Sequence, residues 1–422
     1  MKKLVKIDLK IDYYKQVLSN VISLFILQGA NYILPLITLP YLLRVLGADK
    51  YGMIAFAQAL MQYLVVITDY GFNLTVTREI SINRNNIQEV ATIYNNVLCI
   101  KIIVMIICFL LMCLAVFYIP AWRSEWLFYF SAYLIVVGNA IFPLWFFQGM
   151  EEMKYITLIN ILSRLLSVAA LFIFVKTEAD FVLAMTLQGL GVLIGGVVAL
   201  YVVYYKYKIF INRLPTKQEI YDLLKNGKEV FISTLSGNVY GQGATLITGI
   251  LAGSASAGYY SLAQKLSSAV VGLMQPIAQA IYPRCCTIFV NDKKLFLKIR
   301  TILMLSGTLF GTICSILIFI FSRQIVLLIG GKIYPELTTM IQIFSFITIF
   351  TMLNVLLNSI LLATRKYAIV QKMYLAIAIL FLITSIPITK FFGSYGMAYC
   401  MLGVEIYIFM QSYFHTSSGS IN

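Results

Sequence analysis

Twelve apolar runs of roughly 20 to 27 residues follow one another along the chain, near residues 17–43, 51–77, 96–118, 126–148, 155–175, 181–204, 229–252, 258–282, 301–321, 337–362, 368–389 and 395–414. About 20 apolar residues in helical form cross the hydrocarbon core of a bilayer. Lipid offers the backbone no hydrogen-bond partner, so each run must satisfy its own N–H and C=O groups as a helix. A water-soluble reading fails on surface chemistry: 60% of residues are apolar and only 12% charged, where a soluble domain carries about 25% charged residues. The runs take up nearly all of the 422 residues and leave no room for a separate extramembrane domain. The expected fold is all-α, a polytopic membrane protein of about twelve transmembrane helices. The basic start, MKKLVKIDLKIDYYK, is followed by an apolar run too long for a signal peptide and without a small-residue cleavage site, so the first run should remain a helix.

The net charge of +15 would suggest nucleic acid in a soluble protein. Here its distribution orients the chain. With a cytoplasmic amino terminus, 22 of the 32 Lys and Arg residues fall in inner segments, 7 in outer loops, and Lys101, Arg164 and Lys265 remain within spans. Cytoplasmic loops collect Lys and Arg, so both termini are expected inside and nucleic acid is not expected as a partner. The seven cysteines lie in or at the ends of apolar runs without metal or redox spacing, and read as small hydrophobes.

The longest polar stretch, Tyr205 to Gly227, falls after the sixth run and predicts two six-helix lobes, 1–210 and 211–422. GADKYGMIAFAQAL (Gly47 to Leu60) and GSASAGYYSLAQKL (Gly253 to Leu266) align without a gap, with Gly47/Gly253, Gly52/Gly258, Ala57/Ala263, Gln58/Gln264 and Leu60/Leu266 identical and 206 positions apart. An even number of spans separates the copies, so the repeat is parallel, about an axis along the membrane normal. That is a transporter architecture.

Transporter sites tend to lie where corresponding helices are broken by Gly or Pro. The first run carries Gly29, Pro35 and Pro40, and the seventh carries Gly237, Gly241, Gly243 and Gly249. Helix interruptions are expected at Pro35, Pro40, Gly237, Gly241 and Gly243, although small residues also serve close helix packing. Asn238 and Gln242, and Asn354 and Asn358, are four apart and share helix faces. Each pair suits either interhelical hydrogen bonds or contacts to sugar hydroxyls, as does Gln148.

Ionisable residues inside spans are costly, about 2.5 to 3.5 kcal/mol each on insertion scales unless they face water or a partner. Lys265 lies near the outer end of the eighth run, Arg164 near the middle of the fifth, Asp69 in the inner part of the second and Glu405 in the middle of the twelfth. The two cations are candidate anion contacts. The two carboxylates are candidate proton or sodium sites, or halves of buried ion pairs. Arg78, with Glu79, stands at the inner end of the second run, where it suits either anion capture or topological anchoring. No GxxxxGK[ST] loop is present, so ATP does not drive this chain directly. The outer loops are short, with only scattered carboxylates, which disfavours a membrane enzyme. No cofactor and no metal is expected.

Residues 28 to 84 carry a resemblance: GANYILPLITLPYLLRVLGADKYGMIAFAQAL and TDYGFNLTVTREIS, with GYYSLAQKL in the second half, resemble the Wzx-type O-antigen flippases of the multidrug/oligosaccharidyl-lipid/polysaccharide exporter superfamily. The resemblance implies two six-helix lobes in a V around a cavity lined by spans one, two, seven and eight. It also implies transfer of undecaprenyl-pyrophosphate-linked oligosaccharide from the inner to the outer leaflet of the bacterial cytoplasmic membrane. A polymerase and a chain-length regulator are implied partners beside the bilayer itself. The rivals are a cation-coupled multidrug exporter of the same superfamily, which would want an acidic cavity, and an O-antigen polymerase or ligase, which would want a large outer loop.

Overall fold

The computed structural model describes residues 2–209, 213–364 and 367–417, with side chains from residue 22 onward except those of 24, 280, 283, 290, 367 and 368. Among the described residues every regular element is helical. Eight helical stretches are long and apolar enough to cross a membrane, and the chain is a multi-pass membrane protein. Two of these, Phe25–Asn83 and Ile369–His415, run 59 and 47 residues, far beyond the length that crosses a bilayer once. Each contains a glycine off the helical ladder, Gly47 (φ 73°, ψ 173°) and Gly393 (φ 61°, ψ −148°), in the half of backbone space where a Cβ clashes. The expected runs 229–252 and 258–282 are built instead from shorter helices.

The chain divides into two compact units, one comprising Met1–Leu34 and Leu60–Leu235, the other Pro35–Ala59 and Ser236–Asn422. The boundary expected between residues 210 and 211 lies outside the described residues, as do Arg365 and Lys366 of the inner charge set.

The first unit contains both ends of α1 (Lys2–Asp69), then α2 (Phe72–Asn83), α3 (Ile87–Tyr118), α4 (Pro120–Arg123), α5 (Trp126–Ile141), α6 (Leu144–Gly149), α7 (Met153–Phe174), α8 (Phe181–Tyr207) and the start of α9 (Lys217–Gly241). Tyr70 and Gly71, with φ of 44° and 81°, separate α1 from α2. Asn86 caps α3 by accepting from the Glu89 N–H at 3.3 Å, which satisfies one of the orphan donors of the first turn. The α5–α6 break follows from Pro143 and from Phe142, which is extended at ψ 110°. Phe72, Val76 and Ile80 of α2 and Trp145, Phe146 and Phe147 of α6 join one buried apolar cluster.

Helix α8 packs on two sides through glycines. Gly189 and Gly196 meet α5, while Gly191 and Gly195 meet Ser167 and Ser163 of α7. Small residues let helix backbones approach where lipid supplies no hydrophobic drive between helices. The linker docks back on this unit: Asn95 Nδ2 donates to the Arg213 carbonyl at 2.8 Å. Glu219 accepts from the Thr216 N–H and from the Arg213 guanidinium, and these bonds, the Thr216 backbone donor foremost, pull its carboxyl down to about 2.

The second unit holds the middle of α1, the end of α9, α10 (Gly243–Ala252), α11 (Ser254–Val271), α12 (Gln275–Asn291), α13 (Lys293–Ile320), α14 (Ser322–Gly330), α15 (Pro335–Ala363) and α16 (Tyr367–His415). Helix α13 is inside-out relative to a soluble helix. Leu305, Leu309, Ile313, Ile316 and Ile320 are exposed, while Arg300, Met304, Gly307, Gly311 and Ser315 are buried, as expected where lipid is the solvent.

The repeat is legible in the backbone. Gly253 (φ 93°, ψ 168°) adopts nearly the conformation of Gly47, its partner 206 positions earlier. Gly52 and Gly258 then touch, a Cβ on Gly258 falling 3.0 Å from the Gly52 Cα. A Cβ on Gly52 would lie 1.7 Å from the Ser254 carbonyl oxygen.

These contacts separate two kinds of glycine. A methyl at Gly138 would fall 2.6 Å from backbone atoms of Val192 and Leu193, so Gly138→Ala is expected to cost about 1–3 kcal/mol by overpacking. A methyl at Gly237 meets nothing within 4 Å, and Gly237→Ala should be neutral or gain up to about 1 kcal/mol from helix propensity. Thermal unfolding of the purified proteins checks the contrast.

Candidate functional site

The two candidate cations are both half-buried on helices and both held by a neutral amide. In the first unit Arg164, on α7, donates through Nη1 to the Asn31 Oδ1 of α1. In the second unit Lys265, on α11, donates to the Gln58 Oε1 of α1 at 3.1 Å and lies 5.9 Å from the centre of the Tyr51 ring. The Tyr51 hydroxyl is buried with no hydrogen-bond partner among the described residues. Among the described residues no carboxylate stands within ion-pair distance of either cation.

The two candidate carboxylates differ. Asp69, at the end of α1, accepts from Lys101 Nζ at 2.6 Å and from Asn73 Nδ2 at 3.1 Å. Lys101 is 1% exposed and Asp69 23%, so the ion-pair alternative for Asp69 is the one the structure supplies. Lys101 also donates to the Asn139 carbonyl at 3.2 Å. That carbonyl belongs to the last turn of α5, where the helical ladder has run out of donors. One lysine on an unbroken helix thus joins the interruptions of two others.

Glu405, on α16, is 6% exposed and has no cationic partner among the described residues. Asn354 Nδ2 of α15 donates to its Oε2 at 2.7 Å and to its carbonyl at 3.0 Å. Tyr240, Tyr260 and Tyr374 stand close enough to interact with its charge, and Tyr240 stacks on Tyr374 at 6.4 Å. The Tyr260 hydroxyl and the Asn354 Oδ1 are buried without partners among the described residues.

The remaining polar positions separate. Asn354 is taken up by Glu405, whereas the Asn358 Oδ1 is buried and unpartnered among the described residues. Asn238 and Gln242 flank the end of α9, the Gln242 N–H donating to the Asn238 carbonyl at 2.9 Å. Gln148 accepts from the Thr77 hydroxyl at 3.3 Å and helps join α6 to α2. Arg78 is exposed on α2. In the same unit Glu152 contacts Lys206 and Lys154, and these cations hold its carboxyl below the ordinary range although burial opposes them.

The expected helix interruptions are partly corrected. Gly241 ends α9 and Gly243 begins α10, as expected, and Gln264 Nε2 donates at 3.0 Å to the Gly241 carbonyl at the break. Gly237 lies inside α9, and α1 stays helical through Pro35 and Pro40. A proline forfeits a single N–H bond, and neighbouring side chains in a membrane protein can serve the freed carbonyls. Nothing lies within 4 Å of a Cβ built on Gly237 or Gly241, so close packing does not account for either glycine.

A family described as "Polysaccharide biosynthesis protein" matches residues 17–289. The chain belongs to that family. A protein named "Putative O-antigen transporter" from Escherichia coli (strain K12) is 33% identical over 394 residues, covering 92% of this chain and 93% of the relative. A second of the same name, from Shigella dysenteriae, is 29% identical over 394 residues, with 92% and 97% covered. Among solved structures, "Lipid II flippase MurJ, inward closed conformation" matches with TM-score 0.68 at 13% identity, over 94% of this chain and 87% of that one. An inward-facing multidrug resistance MATE family transporter of the MOP superfamily matches with TM-score 0.64 at 14% identity, over 91% and 93%. These two likenesses show the fold alone, an all-α fold that this chain shares with both.

Within this polysaccharide biosynthesis family member, the sequence reading noted Lys101 as a charge within a span without assigning it a role, and did not single out Asn31 or Gln58 as partners of cations. A lysine in a long apolar run is a readable signal. The choice of its carboxylate is not, because Asp69 and Lys101 are 32 positions apart. Lys101→Met is expected to lower the midpoint of thermal unfolding, since it leaves Asp69 and the Asn139 carbonyl short of a donor. The double variant Asp69→Asn/Lys101→Met should recover part of the loss, and the same melting experiment measures both.

Proposed function

We propose that this chain is a flippase that carries undecaprenyl-pyrophosphate-linked oligosaccharide, an O-antigen or similar repeat unit, from the inner to the outer leaflet of the bacterial cytoplasmic membrane by alternating access. The observation that carries the reading is the pair of cations within the spanning helices, Arg164 and Lys265, that no carboxylate neutralises among the described residues. A pyrophosphate and a string of sugars cannot enter hydrocarbon unaided. Fixed positive charge with polar groups around it offers them a path, while the prenyl tail remains in lipid. An exporter of cationic drugs would want the opposite sign. The E. coli and Shigella relatives, named for O-antigen transport and matched over nearly their whole length, support the same reading.

In this scheme Lys265 and Arg164 attract the pyrophosphate or acidic sugars, with Arg78 collecting anions at the inner end of α2. Asn238, Gln242 and Asn358 contact sugar hydroxyls, and Asn354 acts through Glu405. The breaks at Gly241 and Gly243 supply backbone groups outside the helical ladder. Both termini face the cytoplasm, and the polymerase and chain-length regulator of the same route are the partners downstream. Deletion of the chain should leave lipid-linked repeat units on the inner leaflet, as read by their inaccessibility to outer-face labelling; unchanged distribution would end the proposal. Lys265→Arg should retain partial export, and Lys265→Glu should abolish it at normal abundance.

Glu405 is the leading candidate for ion coupling, since Asp69 is already matched by Lys101. A carboxylate can bind and release a proton or sodium ion within an alternating-access cycle. One charge moved through the membrane field is worth about 2.3 kcal/mol per 100 mV, which biases a two-state equilibrium about fiftyfold. In vesicles lacking polymerase, collapse of the proton or sodium gradient should slow flipping, and Glu405→Gln should blunt that dependence. Undiminished flipping in de-energised vesicles would leave consumption of the product on the outer face as the driver.

A further inference from the structure

We infer that Gln58 and Asn31 are positioning residues that set the charge of the substrate path, because each fixes a cation through a neutral amide oxygen where a carboxylate would cancel it. The inference rests on the flippase reading and assigns to these two residues the selection of an anionic ligand.

The other buried cations of the molecule show what the alternative looks like. Lys101 is answered by the full charge of Asp69 at 2.6 Å. Arg300 donates to the Tyr413 carbonyl at 3.2 Å and to the Thr416 hydroxyl at 3.1 Å, at the carboxyl end of α16, where aligned peptide dipoles supply partial negative charge. Among the described residues Lys265 and Arg164 have neither kind of compensation. An ammonium has three donors and a guanidinium five. Among the described residues Gln58 occupies one on Lys265 and Asn31 one on Arg164.

What remains is a fixed positive charge with donors to spare, and that is the requirement for capturing a phosphate or carboxylate oxygen reversibly. The buried Tyr51 ring beside Lys265 restrains the ammonium without opposing its charge. Gln and Asn differ from Glu and Asp by little more than charge, so the amides are specificity-determining at nearly constant shape.

The decisive variants are therefore isosteric. Full-length protein in lipid nanodiscs is titrated with two probes: undecaprenyl pyrophosphate bearing no sugar, and an acidic oligosaccharide bearing no lipid. Gln58→Glu is expected to weaken binding of at least one probe more than tenfold, to flatten its dependence on salt, and to stop export. Gln58→Leu removes the hydrogen bond but keeps the net charge, and is expected to weaken binding severalfold, less than Gln58→Glu, while leaving the dependence on salt intact. Asn31→Asp and Asn31→Leu should behave as the same kind of pair.

Loss confined to the lipid probe assigns the pyrophosphate as ligand, and loss confined to the oligosaccharide assigns the acidic sugar. The exchange Gln58→Lys/Lys265→Gln puts the charge and the amide back across the same contact and should restore binding, which separates a charge effect from misfolding. Equal losses in Gln58→Leu and Gln58→Glu, or none in either Gln58→Glu or Asn31→Asp, would overturn the inference. Either result can occur while the deletion strain still retains its repeat units on the inner leaflet, so the flippase reading stands or falls separately.

Discussion

In hydrocarbon every backbone N–H and C=O must find a partner within the protein, and the polar side chains of this molecule are placed largely where its helices fail to supply one. Lys101 reaches the Asn139 carbonyl at the end of α5. Gln264 reaches the Gly241 carbonyl at the end of α9. Arg44 donates to the Leu328 and Ile329 carbonyls in the last turn of α14, and Arg300 serves the Tyr413 carbonyl near the end of α16. At each of these four helix ends a side chain of another helix supplies a donor.

The same constraint sorts the glycines. Gly138, Gly189 and Gly196 bring α5 and α8 into backbone contact, and Gly52 and Gly258 bring together the two copies of the repeated segment. Helices that gain nothing from hiding apolar surface hold together through such close approach. Gly237 and Gly241 serve no such contact. Their openness beside a break in α9 is consistent with a backbone presented to something other than a neighbouring helix.

Charge is sorted in parallel. A carboxylate neutralises Lys101, a helix end receives Arg300, and among the described residues Lys265 and Arg164 are hydrogen-bonded by amide oxygens. Glu405 is the complementary case, a buried acid met by Asn354 and, among the described residues, by no cation.

The sequence by itself determined the solvent, the helical class and the repeated segment, because hydropathy over 20 residues and identities 206 positions apart are properties of the linear chain. It also determined which charges must matter, since an ionisable residue in an apolar run is costly wherever it lands. Only the tertiary structure decided their partners. Asp69 and Glu405 are alike in sequence context, yet one meets Lys101 across 32 positions and the other meets Asn354 across 51. Prolines 35 and 40 looked like breaks, yet α1 continues through them and departs from helical geometry at Gly47 instead. Gln58 was visible only as a repeat identity until α11 placed Lys265 against it. Partner choice depends on which helix faces which, and that is fixed by packing between segments remote in the chain.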